Sequence, residues 1–582
     1  MNKMVSMRSE TKSTKKSPEN PFTEFFMKVS FPFLDVASVI RLRCVNTAVR
    51  RDMTAFLEDF RSPYVRLSTA MQANDADFRG IIETLERSSR ALGYGSDKVT
   101  TRLLPAPPSL TRDQLQAIRM SPTTIVYFSQ NTANGQPLCA AGVHDQLGAL
   151  LGDQHATPEA KEFAAAALCN LATDPVNRRL LVTAGVHAQL GALLINPKAT
   201  PRAKQYAARA LWNLSADSVN RRLLVVARVH IPLSRLLEDQ RATHEAKEFA
   251  ALALLRLATA ALNRHPLVVD RVHIRLGRLL SDPQASRFAK HDALRALYNL
   301  SEDLASRQTL VADGVHIPFM VLLEDQQASP KAKEAAAMAL WYLAIDDGNR
   351  KRLVADGVHS PLCRLLEDQQ ASPKAKEAAA MALWHLSADP ANRKRLVADD
   401  VHSPLSALLE DQQATPKAKE LAAGALCNLA EDQANLQRLV ADGVHSPLCR
   451  LLEDQQANFK AKDFATCALL HLPRHPANLQ RLVADGVHIP FIRLLEDQQA
   501  SPEAKKAAAV ALLRLSKDAA NLQTLLEADI HTKLGAFLDD PKATTEAKKH
   551  AAEALDYLSK YTANLDPFGF ILLSFHRFWF RT

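Results

Sequence analysis

The feature that most restricts how this chain can fold is a phrase that returns every 43 residues. Residues 357–399 read GVHSPLCRLLEDQQASPKAKEAAAMALWHLSADPANRKRLVAD, and nearly the same letters begin again at Val401. A histidine marks each step: His144, His187, His230, His273, His316, His359, His402, His445, His488 and His531. No insertion or deletion breaks the register. Self-similarity at a fixed period of this size marks a stacked-repeat chain, whose units cannot bury their apolar faces alone and therefore pack on their neighbours.

One unit reads as three helices. A short amphipathic piece runs from Asn392 to Ala398 and is commonly followed by Gly (Gly357, Gly443, Gly486), as a helix C-terminus favours. A second piece, Pro361 to Glu367, carries Leu362, Leu365 and Leu366 at helical spacing. A third opens on Ser372-Pro373, a capping residue followed by a residue suited to the first helical position. Small residues, Ala378 to Ala380 and Ala382, then let neighbouring helices approach closely. Stacking such units yields an elongated superhelix with a concave face.

The Ala-rich third helix ending in AL-x-NL-[SA], a later Asn and a G-V-x-x-x-L-x-x-LL run resemble the armadillo repeat. Residues 165–195 (AAALCNLATDPVNRRLLVTAGVHAQLGALLI) and 208–237 (ARALWNLSADSVNRRLLVVARVHIPLSRLL) match it best. HEAT repeats are the nearest competitor. The resemblance implies an all-α, right-handed α-solenoid of about ten to eleven three-helix units over residues 113–566. In that family the Asn of the Asn-Leu phrase faces the groove and bonds the backbone of an extended peptide. Carried over by register, the peptide-groove ladder is Asn170, Asn213, Arg256, Asn299, Tyr342, His385, Asn428, His471, Arg514 and Tyr557. Trp212, Tyr298, Trp341 and Trp384 stand beside it as groove aromatics or as core. An amide offers both donor and acceptor to a main chain. Only four positions keep Asn, which puts a uniform peptide rail in doubt.

Outside the solenoid, residues 1–20 are polar and basic and read as a disordered tail. Residues 21–87 read as a small helical module. Within it, Pro21, Glu24, Phe25, Phe26, Phe33, Leu34, Asp35 and the run SVIRLRCVNTAVRRDM resemble an F-box. That resemblance implies that Pro21, Phe25, Phe26, Phe33, Leu34 and Val45 bind a Skp1-type adaptor of a cullin ubiquitin ligase. Val49 departs from the pattern, which often has Trp there, and an ordinary amphipathic helix pair is the competing reading. Residues 88–112 are a Gly-, Pro- and Ser-rich linker. Residues 567–582 are apolar and aromatic, and read as a cap on the last unit, a partner-binding tail or a poorly packed end.

Composition narrows the function. Hydrophobic content of 47% with 6% aromatic residues suits an Ala/Leu-rich stack. The seven cysteines form no CxxC pair, and Cys363 and Cys449 fill one repeat position twice. Buried thiols in a reducing compartment, with no disulfide frame and no metal site, are expected. A net charge of +9 is mild for 582 residues and does not call for nucleic acid. With no apolar signal segment and no membrane span, the expected location is cytoplasm or nucleus.

The histidine ladder invites a metal reading, but units about 10 Å apart cannot share one ion. A partly buried or capping role is expected instead. The lysine ladder from Lys161 to Lys548 faces acidic turns such as Glu367-Asp368, so inter-unit or solvated pairs are expected. No phosphate-binding loop, nucleophile elbow or HExxH is present. The chain is therefore expected to be no enzyme and to need no cofactor or small-molecule substrate. The reading is a scaffold binding an extended segment of a protein partner. Two alternatives stay open: an F-box/armadillo substrate receptor, and an importin-like or vacuole/membrane-tethering adaptor. Arg209 and Arg295, where importin-α places Trp, argue against a basic cargo, and the chain begins Met-Asn without an acylation motif.

Overall fold

The computed structural model describes residues 122–498 and 500–565. The basic tail, the F-box-like module with Pro21, Phe25, Phe26, Phe33, Leu34 and Val45, the linker and residues 567–582 lie outside the described residues. Among the described residues every regular element is a helix. Packing divides the chain into a unit that ends at Asn220 and a unit that begins at Arg221.

The local chemistry of one repeat recurs throughout. The third helix spans Pro373–Ala388; Ser372 holds extended backbone and its hydroxyl accepts the Ala375 N–H at 3.1 Å. The short first helix spans Pro390–Ala398, two residues longer than its pattern suggests, because the Asp389 carboxylate caps the Ala391 N–H at 2.9 Å. The second helix spans His359–Glu367 and also starts two residues early. Pro361 is tolerated inside its first turn, where a backbone N–H would be unpaired anyway.

Between first and second helices the backbone turns through a left-handed residue at one register. Gly fills it at 142, 185, 314, 357, 443 and 486; Arg228, Arg271, Asp400 and Asp529 fill it elsewhere. Only Gly adopts this conformation without steric cost.

In the second unit the third helices pack on one another in chain order: His244–Ala258, Arg287–Ser301, Pro330–Ile345, Pro373–Ala388, Pro416–Ala430, Phe459–His471, Pro502–Leu515 and Thr545–Leu565. In the first unit Pro122–Ser129, Pro158–Leu171 and Pro201–Leu214 do the same. Ala379, Ala380, Ala382, Leu383 and Leu386 are fully buried, so small residues at the contact bring helix axes close and leucines fill the space between.

Polar links then fix each repeat to the next. The amide of Asn392 is buried and donates to the Leu386 carbonyl (3.0 Å) and to the Arg350 carbonyl of the preceding repeat (3.1 Å). Asn435, Asn478 and Asn521 repeat the pattern, and Asn220 does so within the first unit. The histidines play a structural role: Nε2 of His230, His273, His316, His359, His402 and His445 each meets an Asp of the following repeat at 2.7–2.9 Å. The lysine ladder makes inter-repeat ion pairs, Lys333–Asp368, Lys376–Asp411 and Lys505–Asp540 among them.

Candidate functional site

The third helices carry the ladder residues on a half-buried stripe. Asn170, Arg256, Asn299, Tyr342, His385, Asn428, His471 and Arg514 are half-buried, Asn213 is buried and Tyr557 is exposed. Four of them reach back to the preceding third helix. In the first unit, the Asn170 amide donates to the Ser129 hydroxyl at 3.0 Å and the Asn213 amide to the Cys169 carbonyl at 3.2 Å. In the second, the Asn428 amide donates to the Trp384 carbonyl (3.2 Å) and the Ser387 hydroxyl (3.1 Å), and Arg514 donates to the Leu470 carbonyl at 2.6 Å. The Asn428 amide nitrogen is thus engaged within the stack, and its side-chain carbonyl oxygen is an acceptor it can offer.

Aromatic side chains concentrate on three consecutive third helices of the second unit. Trp341 and Tyr342 stack, with ring centroids 4.5 Å apart and planes at 24°. Tyr298 lies 5.8 Å from Tyr342. The Arg307 guanidinium sits 5.7 Å from the Tyr342 ring, braced by donation to the Ser301 carbonyl at 3.1 Å. Trp384 packs against His385 (5.1 Å) and edge-on to Phe464 (6.2 Å). Gly424 makes room for that indole: a Cβ there would meet Trp384 Nε1 at 3.0 Å. Burial, with Arg350 and Arg307 nearby and Asp347 opposing them, holds His385 down to about 4, so it is neutral at physiological pH. Burial, then Tyr342 and Glu302, pushes the Tyr298 phenol up. The cluster is an uncharged aromatic surface edged by charges of both signs, Arg307 and Arg350 with Glu302 and Asp347. Trp212 is half-buried beside Asn213 in the first unit, apart from this cluster in sequence.

Two groups of metal-capable side chains converge in the second unit. Asp400 and Asp442 flank His402 at 3.3 and 2.8 Å, but Arg438 and Ser403 already bond these carboxylates. Cys427, Cys467 and the ladder residue His471 form the other group. Sequence reading missed it because the cysteines belong to different repeats; the i, i+4 pair Cys467 and His471 on one helix was the available signal. Six cysteines described are free thiols, and burial pushes Cys363 and Cys449 up to about 12.

No family model matches the sequence, and a search of curated proteins finds no match. Solved structures do match. An engineered protein from a structural-genomics consortium is 23% identical, with a TM-score of 0.53, over 71% of this chain and 98% of that one. A chain from work on a phosphorylation switch controlling the interaction between cadherin and beta-catenin is 16% identical, with a TM-score of 0.54, over 82% and 97%. A designed armadillo repeat protein is 26% identical over 41% and 98%, with a TM-score of 0.36. The two likenesses with TM-scores above 0.5 show the fold: the chain is an all-α solenoid built of three-helix units. Among the described residues no helix is long and apolar enough to cross a membrane.

Proposed function

We propose that the chain is a non-catalytic scaffold that takes an extended segment of a protein partner along its third-helix face. The observation that carries this reading is the half-buried aromatic run Tyr298, Trp341, Tyr342, Trp384 and His385 on successive third helices. Aromatics set in a semi-buried frame are the side chains that anchor partners. The Asn428 carbonyl oxygen suits a main-chain N–H. Third helices about 10 Å apart match about three residues of extended chain, at roughly 3.3 Å each. A partner strand can therefore stay in register with the repeats.

The F-box resemblance of residues 21–60 extends this reading to a ligase substrate receptor: the hook docks a Skp1-type adaptor and the solenoid selects the target. A basic cargo is disfavoured by the exposed Arg209 and Arg295.

Selection of displayed 16-residue peptides on the full chain tests the scaffold. The expected result is a set of extended binders that the Tyr342→Ala/His385→Ala variant no longer captures. Equal capture by wild type and variant would remove this face from consideration. For the receptor reading, purified Skp1-type adaptor should bind the full chain and fail to bind a Phe33→Ala/Leu34→Ala/Val45→Ala variant.

A further inference from the structure

We propose that Cys427 and Cys467 are a reversible redox pair, in which a hydroperoxide oxidises Cys467 and Cys427 then closes a disulfide between two neighbouring third helices.

The two sulfurs come from Pro416–Ala430 and Phe459–His471, and stand 2.7 Å apart with Cys427 donating to Cys467. A disulfide bond is about 2.05 Å long, so closing one requires sub-ångström movement. Duplication does not explain the pairing: Cys427 shares its repeat position with Cys169, but Cys467 lies 40 residues on at another position, which no other repeat fills with Cys. One repeat back, their positions hold Trp384 and Gly424.

The third member decides between redox chemistry and a metal. His471 Nε2 lies 3.8 Å from Cys467 Sγ, and its Nδ1 lies 3.2 Å from Arg474 Nη1. Arginine can only donate, so Nδ1 is the acceptor and Nε2 carries the proton. That proton points at Cys467. A zinc-binding histidine needs the opposite arrangement, a bare Nε2 with Nδ1–H directed outward. Sulfurs 2.7 Å apart also crowd out an ion that needs Zn–S distances of about 2.3 Å in a tetrahedron. The same hydrogen bonds, Cys427 first and then His471 against burial, hold the Cys467 thiol down, while donation to Cys467 and burial push Cys427 up. The half-buried thiolate is the nucleophile, and the buried thiol beside it resolves.

The chemistry balances. The Cys467 thiolate attacks one oxygen of hydrogen peroxide and the O–O bond breaks. Hydroxide leaves and takes a proton as water, and the sulfur becomes a sulfenic acid. Cys427 gives up its proton, its sulfur attacks the sulfenic sulfur, and the S–O bond breaks to release a second water. Two thiols and one peroxide yield one disulfide and two waters. A dithiol reductant reverses it.

The test treats the full chain with stoichiometric hydrogen peroxide, counts thiols under denaturing conditions and maps linked peptides by mass. The expected result is loss of two of the seven thiols, a linkage between Cys427 and Cys467, and full recovery with dithiothreitol. Cys427→Ser should stop at a dimedone-reactive Cys467, and Cys467→Ser should leave Cys427 unoxidised. His471→Gln should slow iodoacetamide labelling of Cys467 at pH 6.5 at least ten-fold. All seven thiols surviving, or a linkage between other cysteines, overturns the proposal. So does one equivalent of zinc bound by the wild type and lost in Cys427→Ser.

Discussion

His359 Nε2 stands 2.9 Å from Asp399 Oδ2, a carboxylate 40 residues downstream at the end of the next short helix. A carboxylate only accepts, so Nε2 carries the proton and Nδ1 is a bare lone pair. That Nδ1 is buried without a partner, as it is in His230, His273, His316 and His445. Protonating it would place a charged N–H where nothing accepts it. Burial accordingly lowers all five imidazoles, with the Asp partners pulling the other way.

A pH dependence follows with a definite sign. Unfolded imidazoles take up protons near pH 6.5, while the folded ones resist. Below that pH the unfolded state binds more protons, so stability is full above about 6.5 and falls as the pH drops through it. The thermal midpoint should decline between pH 7.5 and 5.5. A His316→Gln/His359→Gln/His445→Gln variant keeps a donor at each position and should show a flatter decline. A further loss is expected as the pH falls below about 4, where an unfolded Asp442 takes up a proton that the hydrogen bond from His402 resists in the folded state.

Asn392→Ala removes one buried amide that serves two carbonyls, one in each of two adjacent repeats. The expected destabilisation is about 2–3 kcal/mol, since lost hydrogen bonds leave buried groups unsatisfied. Lys394→Ala, on the exposed side of the same helix, should stay within about 0.5 kcal/mol of wild type. Urea titration followed by circular dichroism distinguishes the two.

Arg271 holds φ +57° where six other repeats have Gly. Arg271→Gly should stabilise the chain by about 1 kcal/mol by removing left-handed strain. Asp400→Gly should gain less, because Asp tolerates this conformation and Asp400 accepts a hydrogen bond from Ser403 at 2.8 Å. Differential scanning calorimetry reads both.

On the third-helix face, Tyr342→Ala is expected to weaken a selected peptide by about 1–2 kcal/mol, or about five- to thirty-fold. His385 is neutral from pH 8 to 6, so its contribution should be constant over that range. Isothermal titration at two pH values with a peptide lacking titratable groups tests both statements.

Much of this architecture was legible in the sequence because each repeat solves the same packing problem. The Ser372-Pro373 start, the buried alanines and the turn at Gly357 all follow from local chemistry. The left-handed turns at Arg228 and Asp400 were not legible, because the stack imposes them against the preference of those residues. The histidine register was plain, but its partner was not: His359 and Asp399 meet only once two repeats have stacked. The ladder was placed by register alone. That Asn428 turns its amide nitrogen inward, toward Trp384 and Ser387, is a consequence of helix approach that no single repeat encodes. The Cys427–Cys467 contact escaped for the same reason.

The most direct test of the binding account is site-specific photo-crosslinking of the full chain to a selected peptide. Benzoylphenylalanine would stand at position 342 on the third-helix face or at position 394 on the short first helix. The account predicts crosslinks from 342, at peptide residues that advance by about three per repeat when the probe is moved to 385. Crosslinks from 394 with none from 342 would place the partner on the other face and contradict it.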